Sequence, residues 1–200
     1  MDMVGPQAER MWVSTFHSFC VRVLRANAHL APGLNTNFSI YDSDDSKRLM
    51  TMIIKDASLD LKEFSPRGVL NVISNWKNEL VGPTGALEEA QRDSNPHTAQ
   101  IATLYKTYQN RLRAANAVDF DDLIGEVVAI LNSNPDVREH YRRRFRHIMV
   151  DEYQDTNHAQ YELVAALAGK GKAESELCVV GDADQSIYAF RGATIRNIED

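Results

Sequence analysis

Residues 145–154 read FRHIMVDEYQ, and the way this stretch folds decides where the rest of the chain must go. His147 leads an apolar run, Ile148-Met149-Val150, that stops abruptly at two adjacent carboxylates, Asp151 and Glu152. A run this short, bounded by charge, fits a strand covered on both faces of a parallel sheet better than it fits a helix.

The two acids then stand at the strand's C-terminal tip. In open α/β sheets that edge is where ligands bind. Desolvated anions need a cation or hydrogen-bond donors, and a magnesium–nucleotide complex supplies the cation. The arrangement has the form of a Walker B pattern, in which the first acid holds Mg²⁺ and the second orients or deprotonates the attacking water. The competing reading is a surface strand end whose carboxylates simply face solvent.

Downstream, Asp155-Thr156-Asn157 leads into a helix bearing Tyr161, Val164 and Leu167. A second apolar run, Leu177-Cys178-Val179-Val180, stops at Gly181-Asp182. Two parallel strands joined by a helix and both ending in acids place Asp151, Glu152 and Asp182 along one sheet edge. Gly169-Lys170-Gly171-Lys172 resembles a phosphate loop only superficially, because the spacing G-x-x-x-x-G-K-S/T occurs nowhere in the chain. The segment from Asp184 to Gly192 reads DQSIYAFRG. Gln185 can donate to a phosphate oxygen, while Tyr188, Phe190 and Arg191 supply two aromatic faces and a guanidinium, which suit unpaired bases and their backbone.

Upstream, Met11-Trp12-Val13-Ser14 reads as a short strand, and Thr15 is placed to cap a helix with Phe16, Phe19, Cys20, Val23 and Leu24 on one side. Thr15, His17 and Ser18 would then stand at a sheet edge, where hydroxyl, imidazole and helix N–H groups can receive a phosphate; a capping threonine and a packed histidine is the structural alternative. From about 29 to 116 the pattern turns helical. Asp42 or Ser43, Ser65-Pro66 and Pro96 are helix starts, with a short extended piece at 38–40 and no sheet of the section's own expected. Asp119 caps a further helix whose first turn carries Asp121 and Asp122, acids sufficiently explained by the helix dipole.

The 200 residues carry a net charge of −6, with 44% hydrophobic and 25% charged residues, the balance of an ordinary globular protein. No apolar run approaches the roughly 20 residues that span a bilayer, so a cytoplasmic protein is expected. Cys20 and Cys178, each among apolar neighbours, read as buried free thiols. The net acidity excludes a protein coated in basic surface but not a local groove. The densest cationic cluster, Arg142-Arg143-Arg144-Arg146, fits either a solvated helix C-terminus or nucleic-acid contact.

Four blocks carry a resemblance to a known family: TFHSFC at Thr15–Cys20, VDFDDL at Val118–Leu123, VDEYQDTN at Val150–Asn157 and VGDADQSIYAFRGA at Val180–Ala193. Together, in this order, they resemble the UvrD/PcrA/Rep group of superfamily 1 DNA helicases over nearly the whole chain. The resemblance implies an α/β fold: a partial RecA-like parallel sheet of the P-loop NTPase type, with a mostly helical inserted subdomain. Residues 1–28 and 117–200 would form the motor domain and 29–116 the insertion. It further implies ATP and Mg²⁺ as cofactors, with Asp151 binding the metal, Glu152 activating water and Gln185 sensing the γ-phosphate beside Asp182. Thr15, His17, Tyr188, Phe190 and Arg191 would contact single-stranded DNA. Phe190 stands where many members carry Trp, which keeps a stacking face of smaller area. The parent would move 3′ to 5′ on single strands, act at junctions of single- and double-stranded DNA, and work with repair proteins.

In that family a Walker A loop lies upstream of Thr15 and a second motor domain beyond Asp200. The chain is therefore expected to be a fragment that alone neither hydrolyses ATP nor unwinds DNA. Two other readings stand beside it: a metal-dependent phosphodiesterase using Asp151, Glu152, Asp155 and Asp182, and a non-catalytic docking module whose inserted helices recruit a partner.

Overall fold

The computed structural model describes residues 9–169 and 175–182. Helix starts follow local chemistry closely. Thr15 caps α1 (Phe16–Ala26) by accepting the Ser18 N–H. Asp42 and Asp45 form a reciprocal capping box that opens α2 (Ser43–Asp56). Proline occupies the first turn of α3 (Pro66–Asn78), α4 (Pro83–Arg92), α5 (Pro96–Ala114) and α7 (Pro135–Arg144), where its missing N–H costs nothing. Asp119 and Asp122 make a second capping box at α6 (Phe120–Ser133), and Asn157 with Gln160 a third at α8 (His158–Ala168).

Among the described residues four short strands accompany the helices: β1 (Ser39–Tyr41), β2 (Ala117–Asp119), β3 (His147–Val150) and β4 (Glu176–Val179). β1 pairs parallel with β2, Ile40 opposite Val118, and β3 pairs parallel with β4, Val150 opposite Val179. Among the described residues these are two separate two-stranded sheets. The mainly helical α/β architecture agrees with expectation in class, and three of its details differ.

Residues 11–14 form no strand. A strand needs a hydrogen-bonded neighbour, and among the described residues no strand pairs with this stretch. Trp12 is instead held by its side chain, edge-on to Phe19 and Phe145 at centroid separations of 5.7 and 5.0 Å. The extended piece expected at 38–40 is β1, and its partner β2 lies outside the 29–116 section, after α5. β3 is not covered on both faces: Val150 is buried but Met149 is 74% exposed, and all of β4 is exposed. Cys178 accordingly lies at the surface, while Cys20 is buried as expected.

Among the described residues the apolar core divides into two large clusters and one small one. One large cluster gathers α1, α6 and α8 with Phe38, Val118 and Tyr141. The other gathers α2, α3 and α5 with Phe64, Ala86 and Ala117. The changeover falls between Ala117 and Val118, within β2. There the buried Lys77 ammonium of α3 meets Asp119 at 2.6 Å and Asp122 at 2.9 Å. Tyr108 of α5 donates to the same Asp119 oxygen at 3.0 Å, and its own oxygen accepts from the Ser46 hydroxyl at 3.0 Å. A third, small cluster of Val150, Tyr153 and Val164 sits under the tip of β3, with Phe16 packed against it.

Candidate functional site

The tip of β3 is built by continuing the parallel ladder beyond the strands. The Val180 N–H donates to the Val150 carbonyl at 2.8 Å, and the Tyr153 N–H donates back to the Val180 carbonyl at 3.0 Å. The chain then tightens into a single 3-10 turn, Tyr153–Asp155, whose end is tied by Thr156 Oγ1 donating to the Tyr153 carbonyl at 2.6 Å. Tyr153 is buried beneath the turn, which fixes the turn to the third apolar cluster.

Among the described residues, five non-glycine residues have positive φ: Ser58, Leu80, Ser94, Asn116 and Glu152. The first four lie just beyond the C-termini of α2, α3, α4 and α5, where a left-handed residue ends a helix. Glu152 ends no helix. Its φ of 51° and ψ of 43° come directly after a strand and before the turn, and strained backbone of this kind concentrates at functional sites.

The expected carboxylates do come to one edge. Asp151 and Glu152 leave the tip of β3, and Asp182 leaves the tip of the neighbouring β4; all three are exposed. Asp151 Oδ1 accepts the N–H of Glu152 at 2.9 Å. Besides the ladder's backbone bonds, the side chain of Gln154, only 1% exposed, links the two tips. Its Nε2 donates to Glu152 Oε2 at 2.6 Å, and its Oε1 accepts the Asp182 N–H at 3.1 Å. Gly181 makes the approach possible, because a Cβ there would lie 2.4 Å from Gln154 Oε1 and 3.2 Å from the Gln154 nitrogen.

Phe16 packs against the cluster of Val150, Tyr153 and Val164, so the start of α1 stands beside this edge. Thr15 Oγ1 is engaged in the cap and donates to Ser18 Oγ at 3.1 Å, while the His17 ring sits edge-on to Phe120 at 5.9 Å. Gln185, Tyr188, Phe190 and Arg191 lie outside the described residues.

The arginine cluster is largely accounted for locally. Arg143 pairs with Glu139, Arg142 donates to the Ala166 carbonyl, and the Arg144 and Arg22 guanidiniums lie 5.0 and 4.3 Å from the Trp12 ring centre.

Two residues escaped the sequence reading. Gln154 lies in the VDEYQDTN block, but a glutamine between Tyr153 and Asp155 carries no local sign of burial. Lys77 carries none either, on a helix face where lysine ordinarily reaches water. Burial opposes its charge, yet Asp119 and Asp122 more than offset that and hold the ammonium above the ordinary lysine range. Within the carboxylate pair, burial first and Asp122 second push the Asp119 carboxyl up. Asp122, also buried, is held down chiefly by Lys77.

For an acceptor set of this kind the fit to a hard cation is good on one count. Mg²⁺ keeps most of its waters and takes one or two carboxylates together with substrate phosphates. Asp151 offers an exposed carboxylate with one oxygen committed to its neighbour's N–H. Among the described residues no group of three or more His, Cys, Asp or Glu side chains forms a protein-only metal cage.

Comparison with known proteins gives one consistent result. The model of the UvrD/REP helicase N-terminal domain family matches residues 2–200. The chain is 62% identical over 204 residues to the ATP-dependent DNA helicase UvrD1 of Mycobacterium tuberculosis, covering 100% of the chain and 26% of that protein. It is 60% identical over 206 residues to the Mycobacterium leprae protein of the same name, with the same coverage. It is 48% identical over 196 residues to the ATP-dependent DNA helicase PcrA of Staphylococcus aureus, covering 98% of the chain and 26% of that protein. The chain thus spans about a quarter of the length of these curated relatives.

Proposed function

The chain belongs to the UvrD/REP helicase N-terminal domain family, and from that membership we propose that the edge formed by the tips of β3 and β4 is the nucleotide-hydrolysing edge of an ATP-driven DNA helicase. Asp151 would hold Mg²⁺ there, and Glu152 would orient and deprotonate the attacking water. Asp182 would stand next to the phosphates, with Gln185 reading the γ-phosphate. A bound metal would neutralise charge developing on the phosphate oxygens. Glu152 would take the proton of the attacking water, and Gln154 and the turn would keep its carboxylate in place.

Thr15 and His17, beside the same edge, would contact backbone phosphates of single-stranded DNA, and Tyr188, Phe190 and Arg191 would stack on its bases and grip its backbone. In this reading residues 1–28 and 117–200 belong to a RecA-like motor domain and 29–116 to its helical insertion. The complete protein would translocate 3′ to 5′ and separate strands at single-strand to double-strand junctions, in the company of repair proteins.

The observation that carries the proposal is the in-register parallel pairing of β3 and β4, with two neighbouring acids leaving one tip and a third leaving the other. A metal-dependent phosphodiesterase using Asp151, Glu152, Asp155 and Asp182 would call for a shared ligand cluster, and among the described residues no group of three or more such side chains could hold a metal ion.

The test is Glu152→Gln in the complete gene product. ATP affinity should stay within several-fold of wild type while DNA-stimulated turnover falls on the order of 10³-fold, through loss of the base. Near-normal turnover would remove Glu152 from the reaction. Metal-dependent DNA cleavage lost in the same variant would favour the phosphodiesterase instead.

A further inference from the structure

Gln154 is a buried polar side chain with a single consistent orientation. Its amide group faces a carboxylate, which can only accept, and its oxygen faces a backbone N–H, which can only donate. Rotating the carboxamide by half a turn would set oxygen against Glu152 and nitrogen against Asp182, losing both hydrogen bonds. At 1% exposure neither loss could be made good by bulk water.

The two partners belong to different strand tips, and the Gln154 side chain bonds to both. Glu152 is exposed on a left-handed backbone, and Asp182 is exposed beyond the end of β4. A glycine at position 181 lets the β4 turn close down on the carboxamide; any side chain there would meet it.

We propose that Gln154 is a positioning residue, whose carboxamide locks the Glu152 carboxylate to the Gly181–Asp182 turn so that the two strand tips move as one body. The inference rests on the reading of Glu152 given above and deepens it. A displacement of the β4 turn is passed to the carboxylate through one rigid amide, and the carboxylate in turn holds the β4 turn at its working distance. The lock spares Glu152 the rotamer search that an exposed glutamate otherwise makes, which is how groups behind a reacting residue raise turnover.

The decisive experiment is a double-mutant cycle in the complete gene product. Gln154→Met, similar in volume and without hydrogen bonds, should lower kcat for ATP about ten- to hundredfold and leave KM for ATP within about twofold. In the Glu152→Gln background the same change should cost less than about twofold, because there is no carboxylate left to position. An equal loss in both backgrounds, or KM rising with kcat unchanged, would overturn the proposal. Should Gln154→Met fail to fold, Gln154→Asn, which keeps the amide but falls one methylene short, is read in the same way.

A second readout needs no catalysis. Hydrogen exchange at the Asp182 amide of the 200-residue chain should speed up at least about tenfold in Gln154→Met, and an unchanged rate would show that no lock exists. Near-normal turnover of Glu152→Gln alone would instead defeat the assignment of Glu152 as the base, and the exchange rate separates that failure from a failure of the lock.

Discussion

The Lys77 ammonium lies 2.6 Å from Asp119 Oδ2 in the buried seam between the two apolar clusters, tying α3 to the cap of α6. The seam holds two carboxylates against one lysine, with Tyr108 completing the coordination of Asp119. Removing the cation leaves two desolvated anions facing each other. Lys77→Met should therefore lower the unfolding free energy by about 3–5 kcal/mol. Adding Asp119→Asn and Asp122→Asn should recover a substantial part of that loss. Urea unfolding of the single and triple variants measures both.

The glycine at position 181 answers to contact and not to φ, since a Cβ there would sit 2.4 Å from Gln154 Oε1. Gly181→Ala should cost about 1–3 kcal/mol through overpacking. It should cost clearly less in a Gln154→Ala background, where the obstructing carboxamide is gone. Equal losses in the two backgrounds, by thermal or urea unfolding, would place the strain elsewhere.

Burial pushes the Cys20 thiol from 9.0 up to about 12. A thiol whose folded value lies above its unfolded one stays protonated in the native state while the unfolded state ionises. Stability is thus unaffected below pH 9.0 and falls as the pH rises above it, by about 1.4 kcal/mol per pH unit from this group alone. Tyr105 and Tyr108, also raised by burial, add losses of the same sign from pH 10.0 upward. Cys20→Ala should flatten the decline between pH 9.0 and 10.0, as seen in melting temperatures across that range.

On β3 the exposed and buried positions alternate. Met149→Ser, at 74% exposure, should change the stability of the chain by less than about 0.5 kcal/mol. Val150→Ser, buried against Tyr153 and Val164, should cost about 2–4 kcal/mol. Similar losses at both positions would mean that the outer face of the strand is covered after all.

Most of the fold was legible because its signals are local. The caps at Thr15, Asp42, Ser65, Asn95 and Asp119 stand three residues before the N–H groups they satisfy, so each helix start can be read from a window of a few residues. The same holds for the runs that became β3 and β4, and for the carboxylates at their tips. The strand expected at 11–14 failed for the opposite reason: its apolar run was real, but a strand exists only with a neighbour. Trp12 spends its surface on Phe19, Phe145 and two guanidiniums instead.

The sequence by itself determined where the helices begin, that two runs ending in acids are extended, and which family blocks the chain carries. Tertiary structure alone decided which polar groups meet. Lys77 and Asp119 are 42 residues apart, and Gln154 and Asp182 are 28. Nothing within a helical turn of either pair announces the other. Their pairing follows from how α3 packs on α6 and how β4 aligns with β3. Once packing has removed water from these groups, each must find a partner within hydrogen-bonding distance or the site is lost.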